Sequence, residues 1–297
     1  MSWTRRQHAL LREIGVPLWP GAGGVPAETV VAAVPMAPVA APVSPPAPVT
    51  ARVESAPPAM AAAAVEPVSA PEPAPAGRAV PLLPARRAAA PAGLTPHPQA
   101  AEIASMSWDA LREAVSGCRA CPLCESRRQT VFGAGHPQAH WMLVGEAPGE
   151  QEDLRGEPFV GKAGQLLDNM LRAVGLGRGE ASPEQQVCIA NVLKCRPPGN
   201  RNPGPEEVLR CEPFLMRQVE LVRPKLILAM GRFAVQSLLG STEPIGRLRG
   251  RMHEYHGVPL VVTYHPAYLL RNPLDKARSW EDLCLAGEVY RQAMAAG

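Results

Sequence analysis

No stretch of this 297-residue chain is apolar for long enough to span a membrane, and no continuous apolar core follows Arg5-Arg6 as a secretory leader requires. Net charge is also scarce. A formal +3 does not by itself announce a partner of opposite charge, so local clusters of arginine carry more information than the total. Phenylalanine is rare, at four residues, which makes each one worth placing. Without secretory features the expected compartment is the reducing cytoplasm, where seven cysteines suit metal or cofactor ligation better than a disulfide framework.

Proline, by contrast, is abundant and unevenly placed. Residues 21–98 hold 18 of the 35 prolines, and alanine and valine fill most of the rest. Such a segment cannot bury a core, so residues 21–104 are expected to form a disordered, fairly extended linker. A folded domain is expected over 105–297, about 190 residues and ample for one core. Residues 1–20 differ from the linker: Leu10, Leu11 and Ile14 make an apolar stripe at helical spacing, Gly15 ends it and Trp19 follows. A helix this short is marginal alone, and a tethered hook for a partner is its expected use.

The densest chemistry lies in Val144 to Leu167, VGEAPGEQEDLRGEPFVGKAGQLL, where an apolar strand runs into a glycine turn and a group of carboxylates. Four short apolar runs, Trp141 to Val144, Val187 to Ala190, Lys225 to Met230 and Pro259 to Thr263, are separated by helix-length sequence. That is the pattern of a parallel sheet flanked by helices. The expected fold is α/β, a three-layer α/β/α sandwich around a short, mainly four-stranded parallel sheet. Polar residues follow the strand ends: GEAPG after the first, Asn191 after the second, Gly231 after the third, Tyr264-His265-Pro266 after the fourth. In open α/β sheets ligands bind past those carboxyl ends, so a pocket is expected there.

Cys118-Arg-Ala-Cys121-Pro-Leu-Cys124 is hard to explain as core packing, and Cys195 and Cys211 follow half a domain later, the second opening a helix after PGPEE. Four thiolates gathered on one zinc or one iron-sulfur cluster fit this layout, with Cys124 a fifth candidate. Cys188 and Cys284 are expected to be buried structural thiols.

GEAPGEQED, EPFVGKAGQLL, NVLKCRPPGNRNP, the CxxC pair with Cys195 and Cys211, and YHPAYLLRNP together resemble the motif set of the family 4, iron-sulfur uracil-DNA glycosylases. The resemblance covers roughly residues 105 to 285. It implies hydrolysis of the N-glycosidic bond of deoxyuridine in DNA as a step of base excision repair, with a 4Fe-4S cluster on Cys118, Cys121, Cys195 and Cys211. His265, in the HPA motif, would hydrogen-bond the charge that develops on the uracil oxygen, and Asn191 would read the base edge. Phe159 would stack on the flipped base, with Gly145, Ala147 and Glu152 completing the base pocket. Family 1 enzymes carry an aspartate where Ala147 stands, so the water-activating group is expected elsewhere: Glu146 and Glu152 are the carboxylate candidates, Glu146 first because it begins the turn at the strand end, with Asn200 able to position a water. Asp153, Glu150 and Glu157 are read as a solvated face.

Arg247, Arg249, Arg251 and Arg271, with Arg196 and Arg201, would meet phosphates around the pocket rim, and Leu269 in an apolar Tyr268-Leu269-Leu270 tip would wedge into the duplex. No helix-turn-helix or zinc-finger pattern appears, so DNA is expected to be scanned without sequence preference. A monomer is expected. The rival reading is a catalytically weak or covalently trapping uracil-DNA binding protein; such a sister group carries GEQPG and an inserted basic loop, neither of which is present here. Residues 4–19 look similar to the N-terminal peptide of the psi subunit of the bacterial clamp loader, which docks on its chi partner, and this implies a replication protein as partner of the N-terminus.

Overall fold

A computed structural model describes residues 95–179 and 182–296; the peptide 1–20 and residues 21–94 of the expected linker lie outside them. Its centre is built from short aliphatic runs. Strands β2 (Trp141–Gly145), β3 (Val187–Asn191), β4 (Leu226–Met230) and β6 (Val258–Thr263) pair in parallel. Covered on both faces, they show continuous rather than alternating hydrophobicity. Two edge strands that the sequence did not announce, β1 (Ala134–Gly135) and β5 (Met252–Tyr255), pair antiparallel and complete the order β1-β3-β2-β4-β6-β5.

The helices are α1 (Ala100–Ile103), α2 (Trp108–Gly117), α3 (Leu123–Ser126), α4 (Glu150–Arg155), α5 (Lys162–Ala173), α6 (Pro205–Val222), α7 (Arg232–Leu239), α8 (Ile245–Leu248), α9 (Pro266–Arg271) and α10 (Lys276–Ala296). Alternate strand residues point to opposite layers. Leu143, Ile189, Leu228 and Val261 meet Leu167 and Leu171 of α5, Leu269 of α9 and Leu283 of α10. Met142, Ala190, Ile227 and Val262 meet Leu215 and Val219 of α6 and Val235 and Leu238 of α7. The result is the expected α/β/α sandwich.

Residues 95–104, assigned above to the linker, belong to this fold. Ile103 is buried with Leu111 and Val115 of α2, Phe132 and Phe214 of α6, burial that stabilises each large side chain by roughly 1.5–3 kcal/mol. Cys211 does not open its helix either. Pro205 takes the first position of α6, where a missing N–H costs nothing, and the Glu207 carboxylate accepts from the Gly204 N–H (2.7 Å), which places Cys211 in the second turn.

Strand order positions the site. The chain leaves β2 to form β3 on one side and β4 on the other, and such a reversal opens a crevice at the strands' carboxyl ends. Among the described residues no helix is long and apolar enough to cross a membrane.

Candidate active site

A cleft of about 800 Å³ occupies that crevice and is lined by Glu146, Ala147 and Glu152 after β2, Asn191 at the end of β3, Gly231 and Arg232 after β4, and His265 after β6. Phe159, Asn200, Arg201, Tyr264, Tyr268 and Arg271 also line it. Parallel pairing sets Gly145 opposite Asn191, so the turn residue Glu146 and the amide of Asn191 leave the sheet side by side.

His265 caps the N-terminus of α9, and its Nδ1 accepts a hydrogen bond from the Ala267 N–H at 3.2 Å. An acceptor at Nδ1 puts the ring proton on Nε2. Burial, aided by the positive charge of Arg271, lowers the imidazole to about 4, so at neutral pH it is an uncharged N–H donor. The approach is made possible by Gly231, whose φ of 89° suits glycine and where a Cβ would stand 2.9 Å from the Cβ of His265. The Phe159 ring lies against the imidazole with centroids 5.4 Å apart and planes inclined by 29°.

Asn191 is buried, and its Oδ1 has no hydrogen-bond partner among the described residues. An orphaned buried acceptor is costly unless a ligand satisfies it. Gly145 does not line the cleft. It acts by lacking a side chain, since a Cβ there would overlap Asn191 Oδ1 and stand 2.9 Å from Phe159. Burial pushes the Glu146 carboxyl up, partly opposed by Arg232, and so brings it nearer to the range of a general base. Asn200 is exposed at φ 53°, with its Oδ1 accepting from Arg196 Nε at 2.8 Å.

Several expected roles change. Glu152 lines the cleft, but its Oε1 accepts from the Val160 and Gly161 N–H groups at 2.9 and 3.2 Å, so this carboxylate organises the loop ahead of α5. Asp153 is buried rather than solvated, accepting from the N–H of Arg128 at 2.9 Å. Leu269 is fully buried in the core; the exposed leucines here are Leu270 and Leu274. Cys284 is exposed on α10. Arg249 faces inward, with Nε donating to Asp282 Oδ2 at 3.1 Å and a second nitrogen 3.0 Å from Oδ1. Arg251 lies 3.9 Å from Glu243, and neither it, Arg249 nor the exposed Arg247 lines the cleft; Arg271 does. Arg249→Ala would leave Asp282 uncompensated in the interior, and denaturant titration should show a loss of about 3 kcal/mol; an unchanged midpoint would return Arg249 to the surface.

Sequence reasoning missed Arg232, whose guanidinium lies 4.5 Å from the Phe233 ring, and did not foresee that Tyr264 and Tyr268, named at the strand end and in the tip, stack on each other. Arg232 follows Gly231 directly, so carrying the strand-end rule one residue further would have found it.

A second, smaller cavity is lined by Cys118, Cys121, Cys124, Cys195 and Cys211, together with Arg127, Lys194 and Arg210. Donors converge on four of these thiols. Arg127 donates to Cys195 Sγ at 2.9 Å, the Lys194 N–H to Cys211 Sγ at 3.3 Å and the Leu123 N–H to Cys121. His97 Nε2 stands 3.7 Å from Cys118 Sγ while its Nδ1 accepts from Gln99, which makes Nε2 the donor. Burial pushes the Cys195 and Cys211 thiols up to about 11 and about 12.

Residues 132–285 match the model of the uracil DNA glycosylase superfamily. A type-4 uracil-DNA glycosylase of Archaeoglobus fulgidus is 42% identical over 189 residues, covering 61% of this chain and 92% of that relative. This chain belongs to the type-4 family of that superfamily. A type-4 uracil-DNA glycosylase of Thermotoga maritima is 43% identical over 168 residues, 56% of this chain and 84% of the relative. A type-5 uracil-DNA glycosylase of Pyrobaculum aerophilum is more distant, at 31% over 206 residues, 60% and 88% of the two chains. The family match takes in every cleft-lining residue and ends before α10 is complete.

Proposed function

We infer that the chain is a uracil-DNA glycosylase of base excision repair, hydrolysing the bond between uracil and deoxyribose to leave an abasic site. The observation that carries this is the neutral His265 Nε2–H in the same cleft as the orphaned Oδ1 of Asn191. Departure of uracil puts negative charge on the base, and a preorganised neutral donor in a water-poor site stabilises that charge without reorganisation. Asn191 offers a donor and an acceptor to the edge that separates uracil from cytosine. Phe159 stacks on the extruded base, and Glu146, with its carboxyl raised by burial, takes the proton from a water that Asn200 helps to place. Arg271 and Arg247 meet phosphates, while Leu270 and Leu274, exposed where Leu269 is not, are the apolar groups available to the duplex. Treating the products formed on a uracil-containing oligonucleotide with alkali should cut the strand at the abasic site. A gel-stable protein-DNA adduct would instead favour the trapping protein.

The thiol-lined cavity is proposed to hold a 4Fe-4S cluster on Cys118, Cys121, Cys195 and Cys211. Four thiols lining one cavity supply the donor set that such a cluster needs. The N–H donors reach these four, consistent with thiolates that need hydrogen-bond partners, and Cys124 is left as a neighbour. Bound there, the cluster supplies a crosslink between the loop after α2 and the segment from Cys195 to Cys211, part of which lines the cleft.

Residues 4–19, outside the described fold, are proposed to dock a replication protein in the cytoplasm. Deleting residues 1–20 should leave base release on a free oligonucleotide unchanged and abolish co-purification with replication proteins. Equal recovery by both forms would end that reading.

A further inference from the structure

Phe159 is the one large aromatic of the cleft with a left-handed backbone, at φ 55°. A bulky residue does not hold that conformation unless its surroundings impose it. Glu152 in the cleft holds the N–H groups that follow Phe159, and the carbonyls of the turn itself are held from outside the cleft. Arg178 Nη1 donates to the Pro158 carbonyl at 2.8 Å and Nη2 to the Phe159 carbonyl at 3.0 Å, so one guanidinium forks onto two successive peptides. Its Nε donates to Asp168 Oδ1 of α5 at 2.7 Å. The backbone beside Arg178 is tied to the sheet, because Gly177 receives the Val187 N–H and gives its own to Gln185. Gly164 lets α5 come up under the clamp, since a Cβ there would overlap the Phe159 carbonyl.

We infer that Arg178, held by Asp168, is a positioning residue for base stacking: it fixes the left-handed turn at Phe159 that sets the ring beside His265. The inference rests on the reading that Phe159 stacks on the flipped uracil. Neither Arg178 nor Asp168 lines the cleft, so their effect on substrate passes through Phe159. A lysine offers one point charge where two carbonyls and a carboxylate need a planar fork, so it is not an equivalent.

The test is a double-mutant cycle on uracil release from a single-deoxyuridine duplex, with Arg178→Met, Phe159→Ala and both together. Arg178→Met should lower turnover at saturating DNA roughly tenfold, with KM little changed because the phosphate contacts are elsewhere. Arg178→Lys should not restore it. In the Phe159→Ala background, Arg178→Met should cost nothing more. Losses that multiply would overturn the inference and leave the function standing. Wild-type turnover of Phe159→Ala would overturn both the stacking role and the inference. Should Arg178→Met fail to fold, Asp168→Asn, which keeps an acceptor for Arg178 Nε, enters the same cycle. A smaller loss absent from the Phe159→Ala background then supports the inference, and a multiplicative loss overturns it.

Discussion

Replacing His265 with alanine should slow uracil release by about 10²–10³-fold, the scale seen when one preorganised donor is removed from a site of developing negative charge. The structural cost should be far smaller, about 1 kcal/mol for the lost cap on the Ala267 N–H. The two effects are separated by measuring turnover and denaturant midpoint on the same variant. Because burial and Arg271 lower this imidazole to about 4, the wild-type enzyme should keep a neutral donor through the ordinary histidine range. Loss of activity through His265 protonation is therefore expected near pH 4 rather than near pH 6.5. Stability follows the same group. The unfolded chain takes up this proton near 6.5 and the native chain only near 4, so acidification between those values favours unfolding, and His265→Ala should show less of that loss. A histidine-range collapse of activity in the wild type that vanishes in a correctly folded His265→Ala would contradict the neutral-donor account.

Cys195→Ser should have the larger effect on the molecule as a whole. Cys195 is buried against Leu123 and Leu193, and serine is a poor substitute for a thiolate ligand, so the variant should open the proposed cluster site at a buried position, while Arg127 keeps the Ser116 and Cys118 carbonyls as acceptors. Binding energy at a structural metal site is folding energy, on the order of 10 kcal/mol in zinc peptides, against about 1 for an ordinary substitution. The variant should lose visible absorbance, bound iron and most of its cooperative melt. Cys124→Ser and Cys284→Ser should keep all three. A colourless wild type carrying stoichiometric zinc after anaerobic purification, or equal damage from Cys124→Ser, would refute the ligand set.

The four parallel strands were legible because each is an uninterrupted aliphatic run, and the pocket because polar residues stand just past each run. The edges were not. β1 is two residues long and β5 reads MHEY, too short and too polar to stand out from loop. Partners distant in sequence explain the other departures. Arg249 looked like a free cation in RLRGR, yet its carboxylate comes from Asp282, 33 residues on. Asp153 looked solvated inside EQED, but it serves the backbone of Arg128. Leu269 and Leu270 differ only in helical phase: once Pro266 starts α9, Leu269 points at the core with Trp280 and Leu283, and Leu270 faces outward. The left-handed turn at Phe159 left no local trace, since the guanidinium that clamps its carbonyl is that of Arg178, nineteen residues later.

The most direct measurement of the central claim is chromatographic release of free uracil from a large excess of duplex carrying one deoxyuridine, followed over time. The account predicts many uracils per protein molecule, an abasic strand left behind, and a rate reduced at least a hundredfold by His265→Ala. No free uracil, or a burst that stops at one per protein with the DNA still attached, would contradict it.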